Sequence, residues 1–288
     1  MTMHKLVSIL LAATFLTAIA RADGGVTITV QNAAGTALGS KNDPQAVQLD
    51  YGAAYQNGDA IVVSGSGKYF FVQVDPAVPE SLVYAPGGKI TCPIPAGTEL
   101  KMGYDPTAFA GASHSIKARL ATQADLFAER NVALNAVDKR GQTEYFPHAS
   151  ANIVTRNEPD FYERNAIDGN ADNAHHGVWP YESWSGGARE DLIYNLDFGR
   201  EVQINKVRFF IRCDFPHDTY WKSLTVHFSD GSQMDITFKK SREPQELSFP
   251  EKKVTWLKLD NFKQATTPLG WAGLTELEVM GHDTNTQP

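Results

Sequence analysis

The sequence predicts an all-β protein made of two β-sandwich domains, and three observations lead to that fold class. The chain has 288 residues, which is enough for two ordinary domains. Its residues are 42% hydrophobic and 20% charged, as in folded rather than disordered proteins. Short β-type segments alternate with turn signals at a spacing of roughly ten residues, which favours antiparallel sandwiches.

The start of the chain has the features of an export signal. An apolar run at 6–20 follows Lys5, and Ala20-Arg21-Ala22 gives the small-x-small pattern that a signal peptidase reads. Because this run is shorter than the ~20 residues needed to span a bilayer, we expect a signal peptide at 1–22, cut after Ala22, and a secreted or periplasmic protein. Loss of Lys5 and Arg21 takes the formal net charge from −7 to −9. That acidity argues against nucleic acid or an anionic membrane as the main partner.

Residues 23–121 are predicted to form the first sandwich, with a role in interaction or support. Turn signals at 57–59, 65–67 and 86–88 separate its strands. Thr122 is a suitable N-cap, so residues 122–130 are predicted as a helical connector. The strand candidates are residues 26–31, 60–64, 68–75, 81–84, 89–94 and 115–121.

Residues 131–282 are predicted to form the second sandwich, and residues 283–288 a tail. Asp230-Gly231 is typical of a tight hairpin turn. The stretch 140–190 has few strand signals and is rich in Asn, His, Asp, Trp and Tyr. A loop that long in a compact domain is usually functional or tied down by an ion. The strand candidates are residues 192–198, 207–212, 223–228, 233–239, 245–249, 254–259 and 274–280.

The two cysteines are too few for a disulfide scaffold or a thiolate zinc cluster. Cys92 and Cys213 lie in strand-like segments of different halves of the chain. An oxidising compartment would let them form a disulfide between the domains. Two buried free thiols are the alternative, and the sequence leaves both open.

The order of motifs in the second half resembles a discoidin, or F5/8 type C, domain. An entry strand at 131–135, the loop Asn165-Ala166-Ile167-Asp168-Gly169-Asn170, a turn at 196–199 and a closing strand at 275–279 follow the order of that family. The resemblance implies a galactose-binding-like jelly-roll β-sandwich, as found in carbohydrate-binding modules. With its first half, the chain is also similar to a group of bacterial secreted proteins that pair a small β-domain with such a sandwich.

The Asp168 loop is a candidate calcium site. A carboxylate, a glycine that permits a tight turn and neighbouring amides supply several oxygens from one bend, and calcium takes about six to eight oxygens. The alternative is an Asx-turn at Asp168 with Glu276 in solvent. The ligand set that the resemblance implies is Asn165, Asp168, Asn170, Asn173, Thr275 and Glu276, with Asn173 standing where the family often has Thr.

Three loop clusters rich in aromatic and polar residues form the candidate glycan-binding face. A sugar ring has an apolar side that packs on an aromatic plane, and its hydroxyls need charged or amide partners in fixed directions. In the resembling sandwich, such loops gather at one end and hold the sugar. The candidates are His175, His176, Trp179, Tyr181, Arg212, Asp214, His217, Asp218, Tyr220, Trp221 and Trp271.

Several of these residues have a structural alternative. Trp184 is expected to be a core plug, and Trp256 is expected in the core because it lies among leucines in a strand. Arg212 can pair with a nearby carboxylate instead of a ligand. His217 and Asp218 can form a local turn bond.

These patterns together predict a secreted, non-catalytic protein that binds a glycan or polysaccharide, with calcium as a structural cofactor. The alternative is a polysaccharide-acting enzyme, a glycosidase or lyase, with Asp214, His217 and Asp218 as acid–base groups. A third class is adhesion to a cell-surface or matrix protein. No nucleophile elbow, phosphate loop or dinucleotide loop occurs. Zinc is disfavoured, because adjacent His175 and His176 point opposite ways on an extended chain.

Overall fold

The computed structural model describes residues 24–214, 219–265 and 271–284. Every strand pairing between the named strands in these ranges is antiparallel, and the helices are short, so the predicted all-β class is confirmed. The predicted signal peptide at 1–22 and most of the predicted tail lie outside the described residues. No described helix combines the length and apolar character needed to cross a bilayer.

The first half contains two four-stranded sheets and two short helices. Its elements are β1 (Val26–Gln31), β2 (Ala37–Asp43), β3 (Ala46–Tyr51), β4 (Ala60–Gly65), β5 (Tyr69–Gln73), β6 (Ser81–Tyr84), β7 (Lys89–Pro93), α1 (Gly97–Gly103), β8 (His114–Leu120) and α2 (Gln123–Phe127). One sheet has the order β2-β1-β4-β7 and the other the order β3-β8-β5-β6.

Alternating burial explains the strands that the sequence predicted. In β1, Val26, Ile28 and Val30 are fully buried while the residues between them are half-buried, which is the period of two of a strand with one face on the core. β2 was not anticipated, because its sequence is polar. It pairs only with β1 at the edge of its sheet, and none of its residues is buried.

The predicted connector helix exists but is shorter than the predicted 122–130. Thr122 Oγ1 accepts a hydrogen bond from the backbone N of Asp125 at 3.2 Å, and the Asp125 carboxylate accepts one from the backbone N of Thr122 at 2.8 Å. This is a capping box. Asp125 also forms an ion pair with Arg119 of β8 at 2.7 Å, so α2 is fastened to the first half.

The second half is built on one seven-stranded sheet. Its elements are β9 (Arg130–Asn131), β10 (His148–Ala151), three 3-10 turns at Thr155–Asn157, Pro159–Phe161 and Glu163–Ala166, β11 (Tyr194–Ile211), β12 (Trp221–Phe228), β13 (Gln233–Thr237), β14 (Gln245–Gln264) and β15 (Leu274–Asp283). The strand order is β13-β12-β14-β11-β15-β9, and β10 pairs with β11.

β11 and β14 are each one long strand, whereas the sequence predicted two strands in each place. They span 18 and 20 residues. Their register shifts between Asp197 and Val202, around Gly199, whose φ is 64°. A register irregularity bends a strand. Each strand therefore continues on both sides of the bend, and the curved sheet surrounds a single core.

An aromatic centre formed by Trp184, Tyr194, Trp221 and Phe262 lies inside that core, and all four residues are fully buried. Ring centroids are 5.0 Å apart for Trp184 and Tyr194, 5.8 Å for Trp184 and Trp221, and 4.7 Å for Trp221 and Phe262. The prediction that Trp184 is a core plug is therefore confirmed.

The two halves are joined by a buried segment that follows the predicted boundary. Ala136, Val137 and Tyr145 pack into the hydrophobic core of the first half. Phe146 exchanges two backbone hydrogen bonds of 2.8 Å with Tyr84 of β6. The second half thus contributes side chains and backbone pairing to the first.

A buried ion cluster lies at a second joint between the halves. Asp283, at the end of β15, is fully buried and accepts hydrogen bonds from Arg130 and Arg200. The Arg200 guanidinium lies 5.8 Å from the ring centres of both Tyr69 and Tyr84 in the first half.

Cys92 and Cys213 are both free thiols, so the disulfide alternative is not the one observed. Both side chains are buried. Burial raises the pKa of the Cys92 thiol to about 12 and that of the Cys213 thiol to about 11, which keeps both groups protonated and unreactive.

Candidate functional site

His175, His176, Tyr181 and Asp214 come together beside the C-terminal end of β11. His176 Nδ1 lies 2.5 Å from Asp214 Oδ2, and His175 Nδ1 lies 3.5 Å from Asp214 Oδ1. Both imidazoles therefore face one carboxylate, and the expectation that they point opposite ways is wrong. The His175 and Tyr181 rings meet edge to face, with centroids 4.9 Å apart. The His175 side chain is 58% exposed and that of Asp214 is 22% exposed. This group, the His175–Asp214 cluster, combines an aromatic ring with imidazole and carboxylate groups at the surface.

Trp179 lies at the joint between the halves. Its backbone N donates a hydrogen bond to the carbonyl of Met102 in α1 at 2.8 Å. Its half-buried side chain lines a narrow cleft to which both halves contribute. Contact with the first half therefore fixes the position of this predicted binding residue.

Arg212 supports Trp271 from inside the protein. Arg212 is 2% exposed, and its Nη2 donates a hydrogen bond to the Trp271 carbonyl. This partner is a backbone carbonyl and not the carboxylate of the predicted alternative, and burial places the Arg212 guanidinium behind the surface rather than on it. Its role in ligand binding stays a prediction. Trp271 is 38% exposed, and the guanidinium of Arg156 lies 5.6 Å from its ring centre.

Two tryptophans have the opposite environment to the one predicted. Trp221 is fully buried in the aromatic centre, so the prediction that it stacks on a sugar is wrong. The register of β12 against β14 shifts between Trp221 and Ser223, and such a bulge re-aims a side chain. Trp256 is 40% exposed, so its predicted core position is also wrong. Leu257 points inward, and successive residues of a strand face opposite sides.

The remaining residues of the predicted face are Tyr220, His217 and Asp218. Tyr220 is half-buried and packs against the hydrophobic core of the second half. Its carbonyl accepts a hydrogen bond from the backbone N of Ala265 at 2.8 Å. His217 and Asp218 lie outside the described residues. The acid–base trio that they would form with Asp214 stays a prediction.

Two buried carboxylates meet at the predicted calcium loop, one from the loop itself and one from β15. Asp168 is 7% exposed and Glu276 is 1% exposed. Glu276 Oε2 accepts a hydrogen bond from the backbone N of Gly169 at 3.3 Å, so β15 contacts the loop. Asp168 Oδ1 accepts one from the backbone N of Asn170 at 3.0 Å, which is the Asx-turn of the alternative. The solvated Glu276 of that alternative is wrong.

Glu182 is a third carboxylate at this turn, and the sequence analysis missed it. It is 1% exposed, and its Oε1 accepts a hydrogen bond from Asn170 Nδ2 at 2.8 Å. Glu182 Oε2 and Glu276 Oε1 are buried and have no hydrogen-bond partner among the described residues. Sequence spacing gives no signal for Glu182, because only the return of the 171–181 loop brings it back to the turn.

Burial raises the pKa of all three carboxyl groups. At Asp168, burial first and the charge of Glu182 second raise the pKa to about 8. Burial, with the charge of Asp168 added, raises the pKa of Glu276 well above its usual value, and burial also raises the pKa of Glu182. The buried Arg164 guanidinium opposes these pKa shifts at Asp168 and Glu182. A bound cation would therefore favour the ionised carboxylates.

The amide and hydroxyl residues of the predicted ligand set have different positions. Asn165 and Thr275 are buried, and the Asn170 side chain holds the turn to Glu182. Asn173 Nδ2 instead donates to two backbone carbonyls at 3.0 Å each. Across the described residues, no three His, Cys, Asp or Glu side chains converge tightly enough to hold a metal on their own. An ion here would need carbonyl or amide oxygens as well.

A narrow cleft between the halves opens beside Asp168 and Glu182. Its volume is about 40 Å³, which suits an ion or one or two water molecules rather than a sugar. The first half lines it with residues 77–79 and 103–105. The second half lines it with Ala136, Arg164, Asp168, Asn170, Trp179 and Glu182.

No known protein-family model and no curated protein matches the chain. Solved structures with some similarity include three carbohydrate-binding modules. Chitosan-binding module 1 of a chitosanase/glucanase from Paenibacillus sp. IK-5 is 17% identical with a TM-score of 0.37, over 52% of this chain and 98% of the module. The lectin domain of lectinolysin, in complex with Lewis B antigen, is 15% identical with a TM-score of 0.38, over 52% and 95%. The family 32 module of C. perfringens NanJ, in complex with galactose, is 17% identical with a TM-score of 0.35, over 46% and 91%. At these values the likeness carries no conclusion about the ligand of this chain.

Proposed function

We propose that the mature chain is a secreted glycan-binding protein that holds a saccharide without cleaving it. The observation that carries the proposal is the surface position of the His175–Asp214 cluster. Tyr181 supplies an aromatic ring for the apolar side of a sugar. The imidazoles and the carboxylate supply hydrogen-bonding groups for its hydroxyls. The order of sequence motifs in the second half, which resembles that of discoidin domains, supports the same ligand class.

A structural calcium ion is the second part of the proposal. The donor set at the Asp168 turn consists of oxygens, which calcium prefers. Two buried carboxylate oxygens there have no partner among the described residues, and their burial is costly unless a cation or donor meets them. We assign the carboxylates of Asp168 and Glu276 to the ion, with the carbonyls of Asn165, Asn170 and Thr275 completing the set. The ion would neutralise the buried charge and tie the loop to β15.

A glycan array followed by titration calorimetry tests the binding site. Tyr181→Ala and His175→Ala are expected to weaken glycan binding at least about tenfold, equivalent to about 1.4 kcal/mol. Trp256→Ala is the matched control, because Trp256 is an exposed aromatic residue on a strand, and it should leave binding unchanged. Wild-type affinity in Tyr181→Ala would overturn the assigned site. A protein ligand bound without any glycan would favour adhesion instead.

A polysaccharide-acting enzyme is the second candidate, favoured by the 2.5 Å contact between His176 and Asp214. A histidine held by a carboxylate at the surface is a usable acid–base pair. Polysaccharides incubated with the wild type would then release reducing ends or unsaturated products, and Asp214→Asn would not. That result would overturn the non-catalytic proposal.

Export has its own test. The protein recovered from the periplasm or the medium should begin at Asp23, as measured by intact mass. Recovery of the full chain with residues 1–22 attached would contradict cleavage after Ala22.

A further inference from the structure

We infer that Glu182 binds the cation directly and that the bound ion fastens the first half of the chain to the second. This deepens the calcium proposal above and rests on it. Glu182 lies outside the ligand set that the sequence resemblance implies. It belongs to the 179–182 segment, which connects the Asp168 turn to α1 through a backbone hydrogen bond.

The charge of the site fits one divalent ion. Asp168, Glu182 and Glu276 carry three negative charges when ionised, and Arg164 carries one positive charge. All four side chains are at least nine-tenths buried. The net charge of −2 that remains is cancelled by the +2 charge of one calcium ion. Without Glu182, a bound calcium ion would leave a net positive charge in a buried place, which is costly.

The unpartnered oxygens point to the same turn. Glu182 anchors one carboxylate oxygen on Asn170, and Glu276 anchors one on the backbone N of Gly169. The second oxygen of each is buried and finds no donor among the described residues. Each carboxylate is thus held against the same turn by one oxygen and has its other oxygen buried without a partner in the described part of the chain, which is costly unless a cation or a donor meets it.

The first half contacts this turn from two sides. A Cβ added at Gly169, whose φ is 89°, would lie 3.3 Å from Pro79 Cγ. The Tyr104 ring centre lies 4.7 Å from the Arg164 guanidinium. Trp179, three residues before Glu182, donates its backbone N–H to Met102 of α1. An ion bound by Glu182 would hold the 179–182 segment, and with it this hydrogen bond, in place against α1, so the ion stabilises the joint.

The test uses the full mature chain, with calcium titration by calorimetry and amide hydrogen exchange with and without calcium. We expect one calcium ion per chain, and slower exchange in α1 and at the Trp179 amide when calcium is bound. Glu182→Gln should weaken calcium binding at least about tenfold and abolish the calcium-dependent protection. Glu190→Gln, at an exposed ion pair with Lys263, is the matched control and should behave as wild type. Glu182→Asp, which keeps the charge, should retain part of the affinity and covers the case in which Glu182→Gln fails to fold.

The results of these experiments distinguish a failure of the Glu182 inference from a failure of the calcium proposal on which it rests. If the wild type binds no calcium, the calcium proposal itself fails. If Asp168→Asn abolishes calcium binding but Glu182→Gln binds as tightly as wild type, the calcium proposal stands and the role of Glu182 is overturned. If Glu182→Gln weakens binding but exchange in α1 is the same with and without calcium, the fastening of the two halves is overturned.

Discussion

Trp221→Ala distinguishes a core tryptophan from a sugar-stacking one. A tryptophan side chain buries roughly 150–250 Å², and at about 25 cal/mol per Å² this is worth about 4–6 kcal/mol. Substitutions of buried tryptophan by alanine cost about 3–5 kcal/mol. Because Trp221 is fully buried against Trp184 and Phe262, we expect the free energy of unfolding to fall by about 3–5 kcal/mol. With a urea slope of about 3 kcal/mol per M, the unfolding midpoint should fall by about 1–2 M.

Urea unfolding followed by far-UV circular dichroism is the assay, because removal of an indole changes the fluorescence itself. Trp221→Phe should cost less free energy of unfolding than Trp221→Ala, because it keeps an aromatic ring and deletes an indole N–H with no partner among the described residues. Trp256→Ala, at an exposed site, should change stability by less than about 0.5 kcal/mol. A Trp221→Ala protein of wild-type stability but with weakened glycan binding would refute the assignment of Trp221 to the core.

Three further outcomes follow from buried charges and thiols. Asp283→Asn should lower the free energy of unfolding by about 3–5 kcal/mol, because two arginines lose their buried carboxylate. The control Asp230→Asn, at a hairpin-turn ion pair of 3.3 Å, should lower it by less than about 1 kcal/mol in the same assay. Burial lowers the pKa of His148, but the hydrogen bond and charge of Asp138 outweigh burial and raise the pKa above its usual value. The stabilisation from the His148 pair should be complete below about pH 6.5 and lost as the pH rises through the pKa of His148 in the folded protein. The free energy of unfolding, measured from below about pH 6.5 upward, should fall over that interval. His148→Gln should abolish this pH dependence. Both cysteines should be silent to a thiol reagent in the native protein and react after unfolding without reductant, whereas a disulfide would leave no reactive thiol.

The sequence correctly predicted those elements whose structure is set by residues close together in the chain. The alternation of β1 and the cap at Thr122 were correct because side-chain period and capping are set by nearby residues. Trp221 was wrong because it was placed in a loop ahead of a strand expected at 223–228, whereas β12 begins at Trp221 and its pairing with β14 is irregular there. Pairing irregularities leave no mark in the sequence of a single strand. Trp256 was wrong because the alternation of a strand was applied incorrectly: Trp256 and its neighbour Leu257 must face opposite sides, so they could not both lie in the core.

The candidate site was only partly within reach of the sequence. The Asp168 turn and its contact with Glu276 came from motif order. Glu182 and Arg164 were missed, because they meet the turn only after the chain has folded back over a long loop and against the first half. Residues that act across distant segments carry no spacing signal of their own.

The segment at 136–147 limits how this protein can be divided. A fragment that begins at Asn131 would expose Ala136, Val137 and Tyr145 to water, because their packing partners lie in the missing half. Newly exposed apolar surface promotes self-association, and the remaining fragment would lack side chains that fill its interior. The mature chain is therefore expected to melt in a single cooperative calorimetric transition. A glycan probe made from the second half alone would need polar replacements on that face to stay soluble.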